Sequence, residues 1–244
     1  MGLIYFNGKC SADYGFEVAK PPKHKFPRRI YEIESIAGKD GDSAYDTGSY
    51  SNVDRDYEIS FIAADAYDKS VRSILNFLHS GHGYLRLEDT YEPEYYREAI
   101  FEKDGEITNY YHQGGTLTMT FNCKPKCWLK VGEVPIYAYG DEPPIEIQNR
   151  TIYPAKPLIT AEVTGEGSIE IGSYKIDIVK KDGVAYSGTM ILDSEKQDAY
   201  YEGQNLNGYI TLESKYPILV PGNNVVTLTG GIYSVAIIPR WWVL

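Results

Sequence analysis

Alternation with a period of two residues recurs in segments along the chain, and one segment alone shows helical spacing instead. Tyr57, Ile59 and Phe61 share a face within Arg55 to Ala63, as do Leu117, Met119 and Phe121 within Thr116 to Asn122. Successive side chains of a strand point to opposite faces, so this spacing predicts half-buried strands. Leu3 to Gly8, Phe16 to Val18, Tyr84 to Leu87 and Tyr95 to Phe101 read the same way. Arg29 to Ile36 reads as a strand with one irregularity. The following Ala37-Gly38-Lys39-Asp40-Gly41-Asp42 supplies the glycines and aspartates of a tight connection. The exception is Val71, Ile74, Leu75 and Leu78, widened by Phe77, which recur at helical spacing between a capping Asp65 and a stop at Gly81.

Beyond Pro157 helical periodicity disappears. Ile159 and Ala161, Ile169 and Ile171, and Ile176 and Ile178 alternate, with hairpin turns expected at Gly165-Glu166-Gly167 and Asp182-Gly183. Met190 to Asp193, Gly208 to Leu212, Val225 to Thr229 and Tyr233 to Ile238 complete a run of short strands. The fold class is therefore mainly β. Residues 1–130 should form antiparallel strands around one helix, and residues 157–244 an all-β sandwich or jelly roll. Between them, Pro135, Pro143, Pro144 and Pro154 mark residues 131–156 as a semi-rigid connector.

Charge narrows the function classes. The chain carries 24 basic and 34 acidic residues, a formal −10, which opposes nucleic-acid binding over the general surface. The one basic stretch, Lys20 to Arg29, reads as a solvated loop. No apolar run approaches the ~20 residues of a membrane span, and Met1 to Cys10 lacks the pattern of a targeting signal. Gly2 is not followed by Ser or Thr at position 6, as myristoylation would require. Asn149-Arg150-Thr151 is a glycosylation sequon that has meaning only in a secreted chain. Tyrosine is over-used, at 23 residues against 7 Phe, and its apolar face with a polar tip suits surfaces that partners cover.

Candidate chemistry is sparse. Cys123-Lys-Pro-Lys-Cys127 is half a metal site that His79 and His82 could complete, but two inert thiols beside a strand end is the simpler reading. Cys10 leaves an odd count and no disulfide framework. His24 and His112 read as exposed loop residues. No Gly-x-Ser-x-Gly elbow and no phosphate-cradling loop occurs. The acidic run Glu88-Asp89-Thr90-Tyr91-Glu92-Pro93-Glu94 reads as a solvated loop rather than a glycosidase pair. Tyr200, Tyr201, Tyr209, Trp241 and Trp242 are candidate sugar platforms, against the reading that the tryptophans close the sandwich. No residue is nominated for catalysis, cofactor binding or metal coordination, and no cofactor is expected.

The first half carries Phe6-Asn7-Gly8, Asp13-Tyr14-Gly15, Arg28-Arg29, Ile36 to Gly41, Tyr57 to Phe61 and the helix Val71 to Leu78. The second half carries Pro157-Leu158-Ile159, Gly165 to Ile169, Ile191 to Glu195, Tyr216 to Asn224 and Ile238 to Trp242. In this order the segments support a resemblance to the distal tail proteins (Dit) of long-tailed phages and prophages of Gram-positive bacteria. It implies an N-terminal β-sandwich with one helix that assembles into a hexameric ring, and a C-terminal galectin-like sandwich projecting outward. It also implies a structural role rather than an enzymatic one. The ring would join the tail tube protein to the tail-associated hub or lysin protein and to receptor-binding or baseplate proteins. The protein would be made in the bacterial cytoplasm and reside at the distal end of the virion tail. Stacking of two rings stays open. DNA would pass through the bore without specific binding, and acidic groups lining it would keep phosphates from sticking. The alternative is a non-catalytic carbohydrate-binding β-sandwich protein.

Overall fold

The computed structural model describes residues 2–63, 66–103, 105–213 and 215–244. The chain divides into two compact units, residues 1–127 together with Leu244, and residues 128–243.

The first unit carries β1 (Ile4–Phe6), β2 (Lys9–Cys10), β3 (Phe16–Val18), β4 (Arg29–Ser35), β5 (Asp42–Tyr50) and β6 (Val53–Ile62). The helix α1 (Tyr67–Leu78) follows, then β7 (Leu85–Asp89), β8 (Tyr95–Phe101), β9 (Thr108–Asn109) and β10 (Gly114–Leu129). The main sheet runs β2-β1-β7-β8-β10-β6-β3, with β9 also on β10. Gly2 and Val18 exchange backbone hydrogen bonds of 3.2 and 2.9 Å, which ties β3 back to the chain ahead of β1. The predicted alternation of β6 and β10 is met: Tyr57, Ile59, Phe121 and Met119 are fully buried, and the strands pair from Gly114↔Ile62 to Cys123↔Val53. Gly114 and Gly115 begin β10. A Cβ at Gly114 would lie 2.4 Å from the Phe61 carbonyl oxygen and one at Gly115 2.5 Å from that of Thr108, so close strand approach explains them.

The helix forms where its periodicity predicts, with two differences of detail. Its buried face is Ile74, Phe77 and Leu78, with Phe77 edge-on to Phe16 at 5.0 Å, whereas Leu75 is 45% exposed. Leu75 follows Ile74 by about 100° around the axis, which carries it off the core stripe. The helix ends at Leu78, ahead of Gly81; a Cβ there would meet Leu85 at 2.8 Å, so that glycine serves packing and not the helix stop. The expected cap Asp65 lies outside the described residues.

The second unit contains β11 (Ile136–Tyr139), β12 (Ile145–Asn149), β13 (Leu158–Ile171), β14 (Tyr174–Ile178), β15 (Gly188–Asp193) and β16 (Asp198–Tyr201). It is completed by β17 (Gln204–Asn205), β18 (Ile210–Leu212), β19 (Gly222–Ile238) and β20 (Trp242–Val243). Two long antiparallel strands, β13 and β19, form its spine. One half of the pair is extended by β11 on one side and β15-β16-β17 on the other, and the second half by β12 and by β14-β18. The register shifts between Glu162 and Gly167, where the strands bend. Gly165-Glu166-Gly167 is therefore a kink inside β13 and not a hairpin turn. A Cβ on Gly231 would sit 2.7 Å from the Gly165 nitrogen, and one on Gly167 2.3 Å from the Thr229 carbonyl oxygen, so only glycine admits the approach. Asp182-Gly183 is the turn its sequence predicts, with φ of 52° and 79°.

Residues 131–156 are not a connector. They supply β11 and β12, both paired to β19, and Ala138 and Ile147 are buried in the second unit's core. The prolines stand at the ends of these strands: Pro135 just before β11, and Pro143 and Pro144 just before β12. At a strand end the missing N–H costs no ladder bond.

Candidate interaction surface

The β4–β5 hairpin is the part of the first unit that its own core does not use. Its two strands pair with each other as a separate sheet. Gly38 and Gly41, at φ of 84° and 81°, turn the chain between them, as their sequence predicts. Register runs from Arg29↔Tyr50 to Ser35↔Asp42, with a bulge between Arg29 and Tyr31. Arg29 fastens the base: its Nε donates to Asp46 at 2.7 Å and its Nη1 to the Tyr50 hydroxyl at 2.8 Å. That guanidinium holds the Asp46 carboxyl below the ordinary value, assisted by the Gly48 N–H.

Every residue of β4 is exposed. Tyr31 at 50%, Ile33 at 69% and Tyr45 at 56% stand in solvent, as does Phe26 at the approach to the arm, at 87%. A two-stranded ribbon is marginal alone in water, and large apolar side chains exposed on both of its faces, Tyr31 and Ile33 on one and Tyr45 on the other, mark a surface that another body covers. The alternation in Arg29 to Ile36 predicts the strand correctly; no signal in it distinguishes a strand of a core sheet from one of a free arm.

The arm springs from a strap, residues 19–28, laid across β6. Ala19 N–H donates to the Glu58 carbonyl at 2.8 Å, Lys20 pairs with Glu58 at 2.6 Å, Lys25 with Asp56 at 2.6 Å, and His24 lies 3.6 Å from Glu92. Beneath is a buried charge cluster. Arg55 donates to Asp89 and contacts Glu92, both at 2.8 Å; Arg97 reaches Glu92 at 2.7 Å, and the Tyr57 hydroxyl donates to Asp89 at 2.7 Å. Burial pushes the Asp89 carboxyl up, but Arg55 and the hydrogen bonds outweigh it and hold the group below its ordinary value. Burial likewise lifts the Tyr57 phenol well above its usual range. The run from Glu88 to Glu94 is thus no solvated loop: Asp89 turns inward, and its Oδ1 accepts the Tyr91 and Glu92 N–H groups at 2.9 Å each. A lone acidic stretch does not reveal this, because the answering Arg55 and Arg97 are remote in sequence.

The other candidates resolve into structure. Cys123 and Cys127 are buried on β10, and burial pushes their thiols up to about 12 and about 11, away from the reactive thiolate. His79 packs edge-on against Phe101 at 5.9 Å, while His82 and His112 are exposed. Among the described residues no three His, Cys, Asp or Glu side chains are grouped to hold a metal ion. Trp241 is 8% exposed within the second unit's core. Trp242 stacks on Tyr153 at 4.3 Å and donates its indole N–H to the Pro154 carbonyl at 2.9 Å. Tyr209 leans on Tyr186 at 5.3 Å, Tyr200 lies under the Lys196 ammonium at 5.5 Å, and Tyr201 packs on the core. The faces proposed as sugar platforms are largely occupied by the protein itself. Asn149 of the sequon is buried, its amide donating to the Tyr153 and Leu219 carbonyls at 2.9 and 3.0 Å. Among the described residues no helix is long and apolar enough to cross a membrane.

No protein-family model matches the chain, and no curated protein matches its sequence. Among solved structures, the crystal structure of SPP1 Dit (gp 19.1), presented as a paradigm of the hub adsorption apparatus in phages that infect Gram-positive bacteria, is similar. The match has a TM-score of 0.72 over all of both chains, at 14% identity. The chain therefore has a Dit-like, mainly β fold, as the sequence resemblance predicts.

Proposed function

We propose that this protein is a structural component of a phage tail: a distal tail, or baseplate hub, protein whose copies close into a ring between the tail tube and the host-recognition apparatus. The observation that carries this reading is the β4–β5 arm. A ring of identical subunits needs two unlike surfaces on each, one that reaches and one that receives. An exposed hairpin with Tyr31, Ile33 and Tyr45 in solvent is suited to reaching. The Dit-like fold supports the placement, since the hub role is the one given to SPP1 Dit. In this reading the first unit builds the ring, the second is a galectin-like module carried by it, and hexamers are the expected form. The chemistry expected is assembly, without catalysis or cofactor.

The test is the mass of the purified chain by light scattering, with negative-stain images. Annular particles of about six subunits support the proposal. Compact monomers at high concentration, together with absence of the protein from intact virions, would overturn it.

A further inference from the structure

The arm needs a seat, and the distribution of unpaired charge indicates one. Glu32, Glu34, Asp40 and Asp42 form no ion pair among the described residues, and Lys39 is the one cation near them in the hairpin. Most other charged groups of the first unit's strands are paired, including Arg55, Arg86, Arg97 and Lys124. Outside the arm, the cations on its regular elements without an ionic partner, among the described residues, are Lys9, Lys69 and Arg72. Lys9 lies over the Tyr14 ring at 5.8 Å. Lys69 and Arg72 project from the solvent face of α1, whose exposed Leu75 lies beside them. The single acid of the helix, Asp68, sits in its first turn.

We infer that the arm of one copy docks across the outer face of α1 of a second copy, its Glu32–Glu34 face against Lys69 and Arg72. This rests on the ring reading above and names the receiving surface. The spacings agree. Glu32 and Glu34 are two residues apart on one strand and so share a face, roughly 7 Å from each other. Lys69 and Arg72, three apart on a helix, have Cβ atoms about 5–6 Å apart. Tyr45 stands directly across from Glu32 on the same hairpin face, and Leu75 follows Arg72 by three residues, so an apolar contact lies beside the charged ones. Among the described residues the arm's strands pair only with each other. Complementary charge of this kind sets register and encounter rate, and like charge across the same contact opposes it.

Charge exchange tests the seat. Lys69→Glu with Arg72→Glu, or Glu32→Lys with Glu34→Lys, should each raise the concentration needed for assembly by at least about tenfold. All four changes in one chain restore opposite charges and should restore assembly. All these side chains are exposed, so circular dichroism and thermal melting should match the unaltered protein. If the unaltered protein forms rings and either double variant assembles as well as it does, or the quadruple variant stays as impaired as the doubles, the seat is wrong while the ring stands. If the unaltered protein never assembles, both readings fall.

Discussion

The two units use β-hairpins in opposite ways. In the second, the strands β11 to β19 join one hydrogen-bonded sheet, and the bends that fold it are built into β13 and β19 by paired glycines. In the first, the sheet is equally well filled around Phe6, Phe16, Phe77 and Phe121, yet a 22-residue stretch, Arg29 to Tyr50, is left outside it. Folding of the first unit draws little from that stretch. A segment that contributes so little apolar burial to its own unit, and still keeps Tyr31, Ile33 and Tyr45, is kept for contact with something else. The contrast separates a unit whose secondary structure is used up internally from one with a part held in reserve.

Removing the arm is the largest test of that contrast. Replacement of residues 29–50 by a short Gly-Ser linker should abolish assembly, read by light scattering, while the melting transitions of both units persist. A comparable cut in the second unit, removing β14 and its turn, should unfold it. Next in size is Asp89→Ala, which leaves Arg55 buried without its main partner. Loss of one member of a buried pair costs about 3–5 kcal/mol, to be read from urea denaturation of the first unit. Arg240→Ala removes the 2.7 Å bond to the buried Asp193 in the second unit. Arg240 is itself part-exposed, so about 2 kcal/mol is expected.

Acid should strike each unit through one buried carboxylate, Asp89 in the first and Asp193 in the second. Asp89 is held below its ordinary value of 3.8 because Arg55 outweighs burial, and Asp193 because Arg240 does. A carboxyl with a lowered folded-state value contributes stability that is complete above the unfolded value and lost as pH falls through the folded one. Both units should therefore weaken below about pH 4. Asp193→Asn should flatten that dependence in the second unit alone, and a profile of equal steepness in the variant would show that other groups govern it.

What could be read in the sequence follows from where the governing contacts lie. Alternation reports one face per strand, so β6, the Thr116 to Asn122 part of β10, and the pairs Ile159 and Ala161, Ile169 and Ile171, and Ile176 and Ile178 were legible from local spacing alone. Pairing partners were not. The proline-bearing residues 131–156 look extended and unowned until β19, remote in sequence, is seen to take up β11 and β12. The Gly165–Gly167 kink reads as a hairpin turn for the same reason: its cause is Gly231, on another strand. Asp89 could not be told from its exposed neighbours because Arg55 is 34 residues away. The arm was legible as a strand and illegible as an arm, since exposure depends on what fails to pack against it.

The smallest effect on stability should accompany a clear effect on assembly, and that pairing is the sharpest form of the comparison. Ile33→Ser with Tyr45→Ser changes two side chains that are 69% and 56% exposed. Surface changes that disturb no cap, core or buried pair usually move stability by no more than about 0.5 kcal/mol. If the arm served its own unit, these apolar groups would be packed and their loss would be felt in the melt. If it serves a neighbour, the melt of dilute monomer is unmoved and the concentration needed for assembly rises. Ile159→Ser in the second unit, where the side chain is fully buried, should do the reverse and lower that unit's melting temperature sharply. A double variant of the arm that melts early, with assembly intact, would mean that the hairpin belongs to its own fold after all.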